Sequence, residues 1–279
     1  MSREIDPAFA RRAALVLNNL EVAGGDKILD IGCGRGFYVV AAASAWPQAR
    51  ITGIDTVRKY LEIAGNAIRH LKLGNAQVRH ADGMRLPFTS DSFDRIICSE
   101  VLEHVASDTR LVSEMLRVLK PGGIALITVP SAHYPFLWDP LNFCLEAFTG
   151  QHIPSRIWWL AGIWADHVRL YRSHDLTALL SAAGFSVDKI WYSTRFCFPF
   201  SHFLLYGIGK NLVERGMVGS GFDRFSIQSP PTAPARIARA VLRIADCFND
   251  TTEMLSEPSR FVNLVCKVRK PRTKKQLPS

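Results

Sequence analysis

"LDIGCGRGFY", residues 29–38, is the stretch on which the reading of this 279-residue chain turns. Ile28 to Ile31 is a short apolar run carrying one carboxylate, Asp30, after which Gly32, Gly34 and Gly36 alternate with Cys33 and Arg35. Glycine loses more backbone freedom on folding than any other residue, so three in one turn imply close approach of something to the main chain. Phe37 to Ala45 reads as a helix, which places the glycines on a strand-to-helix turn. Backbone N–H groups and the positive end of the helix dipole are exposed there and suit a polar or anionic ligand group. Glycine-rich turns also form without any ligand, so the spacing needs a second signal.

That signal is the next acid. Residues 49–54 of "ARITGID" alternate like a strand and run into Asp55. An acid closing the second strand of a βαβ unit is placed to bind ribose hydroxyls, which points to a nucleoside-containing cofactor. In "VRHADGMRLPF" a third strand, Gln77 to Ala81, is followed by Asp82, Gly83 and Met84. "SFDRIICSEVLEHV" gives a fourth strand, Phe93 to Ser99, running into Glu100, and "LKPGGIALITVP" gives a turn and a fifth strand, Ile124 to Val129. The carboxyl ends of all five would share one edge of a parallel sheet, where open α/β folds bind ligands.

This succession resembles the class I S-adenosylmethionine-dependent methyltransferases over residues 22–130, and more weakly over 173–191. The resemblance implies an α/β fold: a seven-stranded Rossmann-like sheet, mostly parallel, with the last strand antiparallel. It implies S-adenosylmethionine as cofactor, with Asp30, Gly32, Cys33, Gly34 and Gly36 forming the turn around its amino-acid part. Asp55 then matches the acid on the ribose hydroxyls, with Thr56 beside it. Asp82 matches the acid near the adenine amino group, flanked by Gly83 and Met84, while Ser99 and Glu100 fall nearest the methyl-bearing sulfur. A dinucleotide oxidoreductase fits less well, because G-x-G-x-x-G would need glycine at Phe37.

At 48% hydrophobic residues the chain can bury a full α/β core, and one elaborated domain is expected rather than two. We divide it into a cofactor-binding core over 1–191 that includes a cap insertion at 131–172, a second insertion at 192–259, and a last strand with a basic tail at 260–279. No internal repeat is visible. "MSREIDPAFARRAALVLNNL" has early charge and no uninterrupted apolar region, so it reads as an amphipathic helix rather than a signal peptide. The six cysteines are scattered without a C-x-x-C pair, which fits a reduced cytoplasmic compartment with buried thiols.

Acceptor choice has to come from what the shared core does not explain. Residues 131–172 hold nine aromatics, four of them tryptophan, and read as a cap of short helices over the acceptor pocket. The competing reading is a satellite core formed by the same rings. The second insertion separates the sixth strand, Phe185 to Trp191, from the last, Phe261 to Val268. Its apolar stretch, Phe196 to Ile208, is too short to span a bilayer. Further on, Arg236, Arg239 and Arg243 oppose Ile237, Val241, Ile244 and Phe248, as in a basic amphipathic helix.

Residues 191–279 carry a net charge of +8 out of the chain's +9. Basic charge beside apolar groups suits an anionic membrane surface, at about 1 kcal/mol per well-placed Lys or Arg. A solvated basic face is the alternative. Nucleic acid ranks lower: the position after the fourth strand reads "CSEV" rather than the Asp/Asn-Pro-Pro-aromatic turn usual in base methyltransferases that act on exocyclic amines.

Methyl transfer from a sulfonium is an in-line displacement that needs alignment in a dry pocket, and a hydroxyl acceptor also needs a base. Candidate bases are His104, His133 with Tyr134, and His167, with His152 as a further option. Glu100, Glu103 and His104 also follow an E-x-x-E-H pattern that some members of the family use, with a later histidine such as His167, to hold a divalent ion. The expected activity is methyl transfer to an apolar small-molecule or lipid-like acceptor, on oxygen or carbon, in the cytoplasm or at its membrane surface. A soluble natural-product methyltransferase and a non-catalytic cofactor-binding protein on the same fold are the alternatives.

Overall fold

The computed structural model describes residues 6–157, 160–196 and 260–272, together with residues 240, 247 and 249. The expected apolar stretch 196–208 beyond Phe196, the basic amphipathic helix around Arg236, Arg239 and Arg243, and the tail from 273 lie outside the described residues. The chain divides into two compact units. The core unit comprises Leu15–Val129, Ser173–Ile190 and Val265–Ser279, and the second comprises Met1–Ala14, Pro130–Arg172 and Trp191–Leu264.

The elements in chain order are α1 (Pro7–Asn19), β1 (Lys27–Ile31), α2 (Phe37–Ala45), β2 (Arg50–Asp55), α3 (Arg58–His70), β3 (Ala76–His80), β4 (Phe93–Ser99), α4 (Asp108–Val118), β5 (Leu119–Pro130), α5 (Pro140–Thr149), α6 (Ser173–Ala182), β6 (Ser186–Ser193) and β7 (Asn263–Arg269). The strands form one seven-stranded sheet in the order β3-β2-β1-β4-β5-β7-β6. β1 pairs in parallel with β2 and β4, β2 with β3, and β4 with β5. β7 runs antiparallel to β5: Gly122 N donates to Lys270 O and Lys270 N to Gly123 O at one end, and Ser131 N donates to Val262 O at the other.

Burial follows this order. β1 and β4 at the centre read as near-continuous apolar runs, as strands covered on both faces must. Edge strand β3, AQVRH, has no fully buried residue. In α4, Leu111, Val112, Met115 and Val118 repeat at helical spacing and are buried, and Ser107 caps the first turn by accepting from Arg110 N at 3.3 Å. Asp94 ties three strand starts together, accepting from Lys27 N at 2.9 Å and from Lys120 Nζ at 2.7 Å. Strand order reverses between β1 and β4, so the crevice at their carboxyl ends is the topological switch point.

β4 and α2 fall where the sequence places them, but β5 does not begin after a turn at Lys120–Gly123. It starts at Leu119 and carries the Pro-Gly-Gly segment as part of the strand. Gly122 takes a φ of 80°, and its pairing with Lys270 replaces the hydrogen bonds that a free turn would have left to water.

In the second unit, Tyr134, Trp138 and Ile163 pack with Ala8 and Val262, and Phe143, Trp164 and Leu170 lie against them. These rings form a satellite core. Asp139 knots the segment: it accepts from Asn142 N, Asn142 Nδ2 and Ile163 N, and Asn142 in turn bonds Ala161 O and Ile153 N. Helix α5 and a single 3₁₀ turn, Gly162–Trp164, are the helical pieces of residues 131–172 among the described residues.

Candidate active site

The glycine turn leaves β1 at its carboxyl end, and its three glycines do different work. At Gly32, φ is 67° and an added Cβ would lie 2.5 Å from Val101 Cγ2. At Gly36, φ is 88° and a Cβ would lie 2.6 Å from Ala64 Cβ, so this glycine lets α2 and α3 pack. Gly34, with a φ of 52°, has no protein atom within 4 Å of where its Cβ would stand. Two glycines thus serve the fold, and one borders open space.

Asp55 holds this turn in place. Its Oδ2 accepts from Gly34 N and its Oδ1 from Val57 N, both at 2.8 Å. A carboxylate offers about four lone-pair sites, so both oxygens keep capacity for hydroxyls. Asp30 lies beneath, 1% exposed, with Oδ2 lacking a hydrogen-bond partner. Burial, and then the nearby charge of Asp55, push its pKa well above the usual carboxylate value. Such a group gains from a cation brought to it.

Cys33 is buried and donates from its main-chain N to Ile54 O at 2.9 Å, while β2 admits its side chain at Gly53, where a Cβ would stand 2.9 Å from Sγ. Burial raises its thiol pKa far above normal, so the side chain packs. Thr56 is exposed, with its carbonyl 3.1 Å from His80 Nε2. Asp82 caps the 3₁₀ turn Gly83–Arg85 by accepting from Met84 N at 2.8 Å. A Cβ on Gly83 would lie 2.9 Å from Leu111 Cδ1, so that glycine seats the turn on α4. Met84 lines an open groove of about 440 Å³ with Arg85, Thr109, Arg110, Ser113 and Glu114.

At the end of β4, Ser99 pairs in register with Thr128 of β5. Ser99 Oγ lies 2.8 Å from Thr128 Oγ1 and 3.3 Å from Tyr38 Oη, and Thr128 Oγ1 donates to Glu100 Oε1 at 2.9 Å. Glu100 adopts a φ of 56°, a left-handed conformation that costs a residue with a Cβ about 1–2 kcal/mol. Sequence reasoning missed Thr128, Tyr38 and Val101. The one available signal was a lone hydroxyl inside the otherwise apolar run "IALITV".

The candidate bases differ in their surroundings. His104, partly exposed, has Nε2 3.9 Å from Oε1 of the fully buried Glu103. His133 is exposed, and its N donates to Ser131 Oγ at 3.0 Å. Tyr134 sits in the satellite core, where burial and then the charge of Glu146 push its phenol pKa far up. His152 stacks on Trp164 with ring centres 3.9 Å apart. Of the E-x-x-E-H set, Glu100, Glu103 and His104 belong to the core unit, and His167 belongs to the second.

Residues 29–127 match the methyltransferase domain family. Over those residues, from within β1 to within β5, the chain is similar to a methyltransferase domain. Domains of this class take S-adenosylmethionine, and the site fits it: the orphaned Asp30 oxygen suits its ammonium, Asp55 its ribose, and the space beside Gly34 its close approach to the main chain. The methyltransferase GfsG of Streptomyces halstedii is 36% identical over 127 residues, covering 43% of this chain and 44% of that protein. Demethylmenaquinone methyltransferase of Geobacillus stearothermophilus is 32% identical over 112 residues, 40% of this chain and 48% of that one. The chain thus spans under half the length of these curated relatives. Among solved structures, the [4+2]-cyclase SpnF superposes with a TM-score of 0.60 at 22% identity, covering 94% of this chain and 81% of that one. This likeness shows a shared fold.

Proposed function

We propose that the chain transfers a methyl group from S-adenosylmethionine to an apolar small-molecule or lipid-like acceptor, on oxygen or carbon, at or near a membrane surface. The observation that carries the donor half is the turn at Gly34, whose amide is held by Asp55 and whose face is open at the carboxyl edge of the sheet. In this reading Asp30, the main chain of 32–36, Ser99 and Glu100 hold the methionine end, Asp55 and Thr56 the ribose, and Asp82, Gly83 and Met84 the adenine. When bound, the cofactor supplies an electrophilic methyl for in-line displacement. The protein's own task is to orient the two reactants and exclude water. His104 is our leading base, because it closely follows the end of β4 and its Nε2 stands 3.9 Å from the buried Glu103 carboxylate; His133 and His167 are the others to test.

The acceptor half rests on apolar surface. Phe136, Leu137, Leu141 and Phe148 are exposed around α5, Phe148 by 87%. Apolar side chains presented this way favour an apolar partner. A demethylmenaquinone methyltransferase among the relatives is in keeping with an acceptor of that kind. Among the described residues, no helix is long and apolar enough to cross a membrane.

The test has two parts. Titration calorimetry with S-adenosylhomocysteine should show one site per chain, and acceptor-dependent release of S-adenosylhomocysteine should appear with demethylated quinones or aromatic lipids. Because a [4+2]-cyclase shares the fold, the assay must read methyl transfer itself. Cofactor binding without turnover on any apolar acceptor would refute the acceptor assignment. Absence of cofactor binding would refute the donor assignment. Co-sedimentation with anionic and neutral vesicles at low and high salt tests the membrane component.

A further inference from the structure

Glu100 is held twice by one residue. Its N donates to Thr128 O at 2.9 Å, and its carboxylate accepts from Thr128 Oγ1 at 2.9 Å. The left-handed backbone at Glu100 brings the side chain back over the neighbouring strand, where Thr128 stands opposite Ser99. Thr128 is fully buried in a run of apolar neighbours, so its hydroxyl has to be satisfied inside the protein.

The direction of the hydrogen bonds follows from counting protons. A threonine hydroxyl has one proton, and here it goes to Glu100. The 2.8 Å contact between Ser99 and Thr128 therefore draws on the serine proton, which Ser99 also donates toward Tyr38 Oη at 3.3 Å. The serine proton is shared between Thr128 Oγ1 and Tyr38 Oη, and the threonine proton alone points at the carboxylate. Bonds of this kind, ending on a charged acceptor, are the stronger ones. A backbone conformation that most side chains avoid, kept at the ligand edge of a sheet and pinned from the next strand, is the pattern of strain retained for function.

We infer that Thr128 is a positioning residue: it fixes the carboxylate of Glu100 at the end of β4 and through it sets how the sulfonium end of the cofactor is held. The inference rests on the methyltransferase reading of this edge and adds a residue that lies one strand away from the expected set. Thr128 touches no ligand; its effect passes through Glu100.

The experiment uses the full chain and measures S-adenosylhomocysteine affinity by calorimetry for Thr128→Val, Thr128→Ser, Glu100→Gln and the Thr128→Val/Glu100→Gln pair, with thermal unfolding of each unliganded protein alongside. Loss of a hydrogen bond to a charged group predicts about tenfold weaker binding for Thr128→Val, and Thr128→Ser, which keeps the hydroxyl, should stay within about threefold of the parent. Glu100→Gln should weaken binding at least as much, and the double variant should bind no worse than Glu100→Gln alone. That non-additivity is a readout that a merely structural role would not give. If Thr128→Val does not fold, Thr128→Cys, of similar volume and weaker donor strength, takes its place. Parent-like affinity in Thr128→Val, or fully additive losses in the pair, overturns the inference. If Glu100→Gln binds normally while Gly34→Ala does not, the inference falls and the methyltransferase reading stands; if neither substitution weakens binding, that reading falls as well.

Discussion

Replacing Gly34 and Gly36 by alanine, one at a time, should produce opposite kinds of damage. Both residues have positive φ, 52° and 88°, so either alanine costs roughly 1–2 kcal/mol in the left-handed region. At Gly36 the new methyl would also stand 2.6 Å from Ala64 Cβ, and forcing α2 and α3 apart adds about 1–3 kcal/mol. Gly36→Ala should therefore lose about 2–5 kcal/mol, which at about 2–4 °C per kcal/mol is a fall in Tm of roughly 4–20 °C. At Gly34 the methyl meets no protein atom within 4 Å, so stability should drop only by the backbone cost. The same methyl would occupy the space assigned to the cofactor. Losing one main-chain contact there is worth about 1–3 kcal/mol, or about 5- to 150-fold in affinity. Thermal unfolding without ligand and calorimetry with S-adenosylhomocysteine separate the two effects. Parent-like affinity in Gly34→Ala would refute the reasoning, because the open face of the turn would then be ordinary solvent-exposed surface.

Three further outcomes are expected. In Gly162→Ala the methyl would stand 2.0 Å from Asp139 Oδ2, at a φ of 55°; the variant should lose roughly 3 kcal/mol or more, with hydrogen exchange rising first in α5. Asn249→Ala removes the side chain that accepts from Arg195 N and Phe196 N at 2.8 Å and donates to Phe196 O at 2.9 Å, so exchange at those two amides should accelerate and Tm should fall, by roughly 2 kcal/mol of stability. The hydrogen bond from Arg117, aided by the amide of Leu86, holds the Glu114 carboxyl below its ordinary 4.5. A depressed folded-state value contributes stability above the unfolded value and loses it as pH falls through the folded one. The Tm gap between the parent and Glu114→Gln should be constant above about pH 5 and close below about pH 4.5.

Much of the core was legible because its signals are local. The apolar run of β4 ends where Ser99 and Glu100 begin, and the helix α2 starts where the last glycine of the turn stops, so Phe93–Ser99 and Phe37–Ala45 are the observed bounds. β5 was misread because Pro-Gly-Gly is a turn signal within its own segment, and only pairing with Lys270, far along the chain, keeps it in the sheet. Glycine spacing showed that something comes close to the turn, but it could not show that Val101 and Ala64 account for two of the three approaches. Thr128 was invisible for a related reason: its meaning comes from register with Ser99, and register is a long-range property. Tyr134 shows the limit at the other end of the strand. Its position right after β5 suggested access to the ligand edge, whereas the packing of Trp138 and Ile163 turns it into a core residue.

The place of β7 in the sheet bears on how the chain comes off the ribosome. β6 ends at Ser193, and among the described residues the strand that joins it to the rest of the sheet does not begin until Asn263. While the intervening residues are being made, β5 and β6 both still lack β7, the neighbour they share among the described residues. Closure must wait for a segment that then enters between two strands already synthesised, a contact of high sequence separation and so a slow one. A nascent chain paused short of residue 263 would present its β5 edge to other chains, which makes this stage the one most exposed to misassembly and to capture by chaperones.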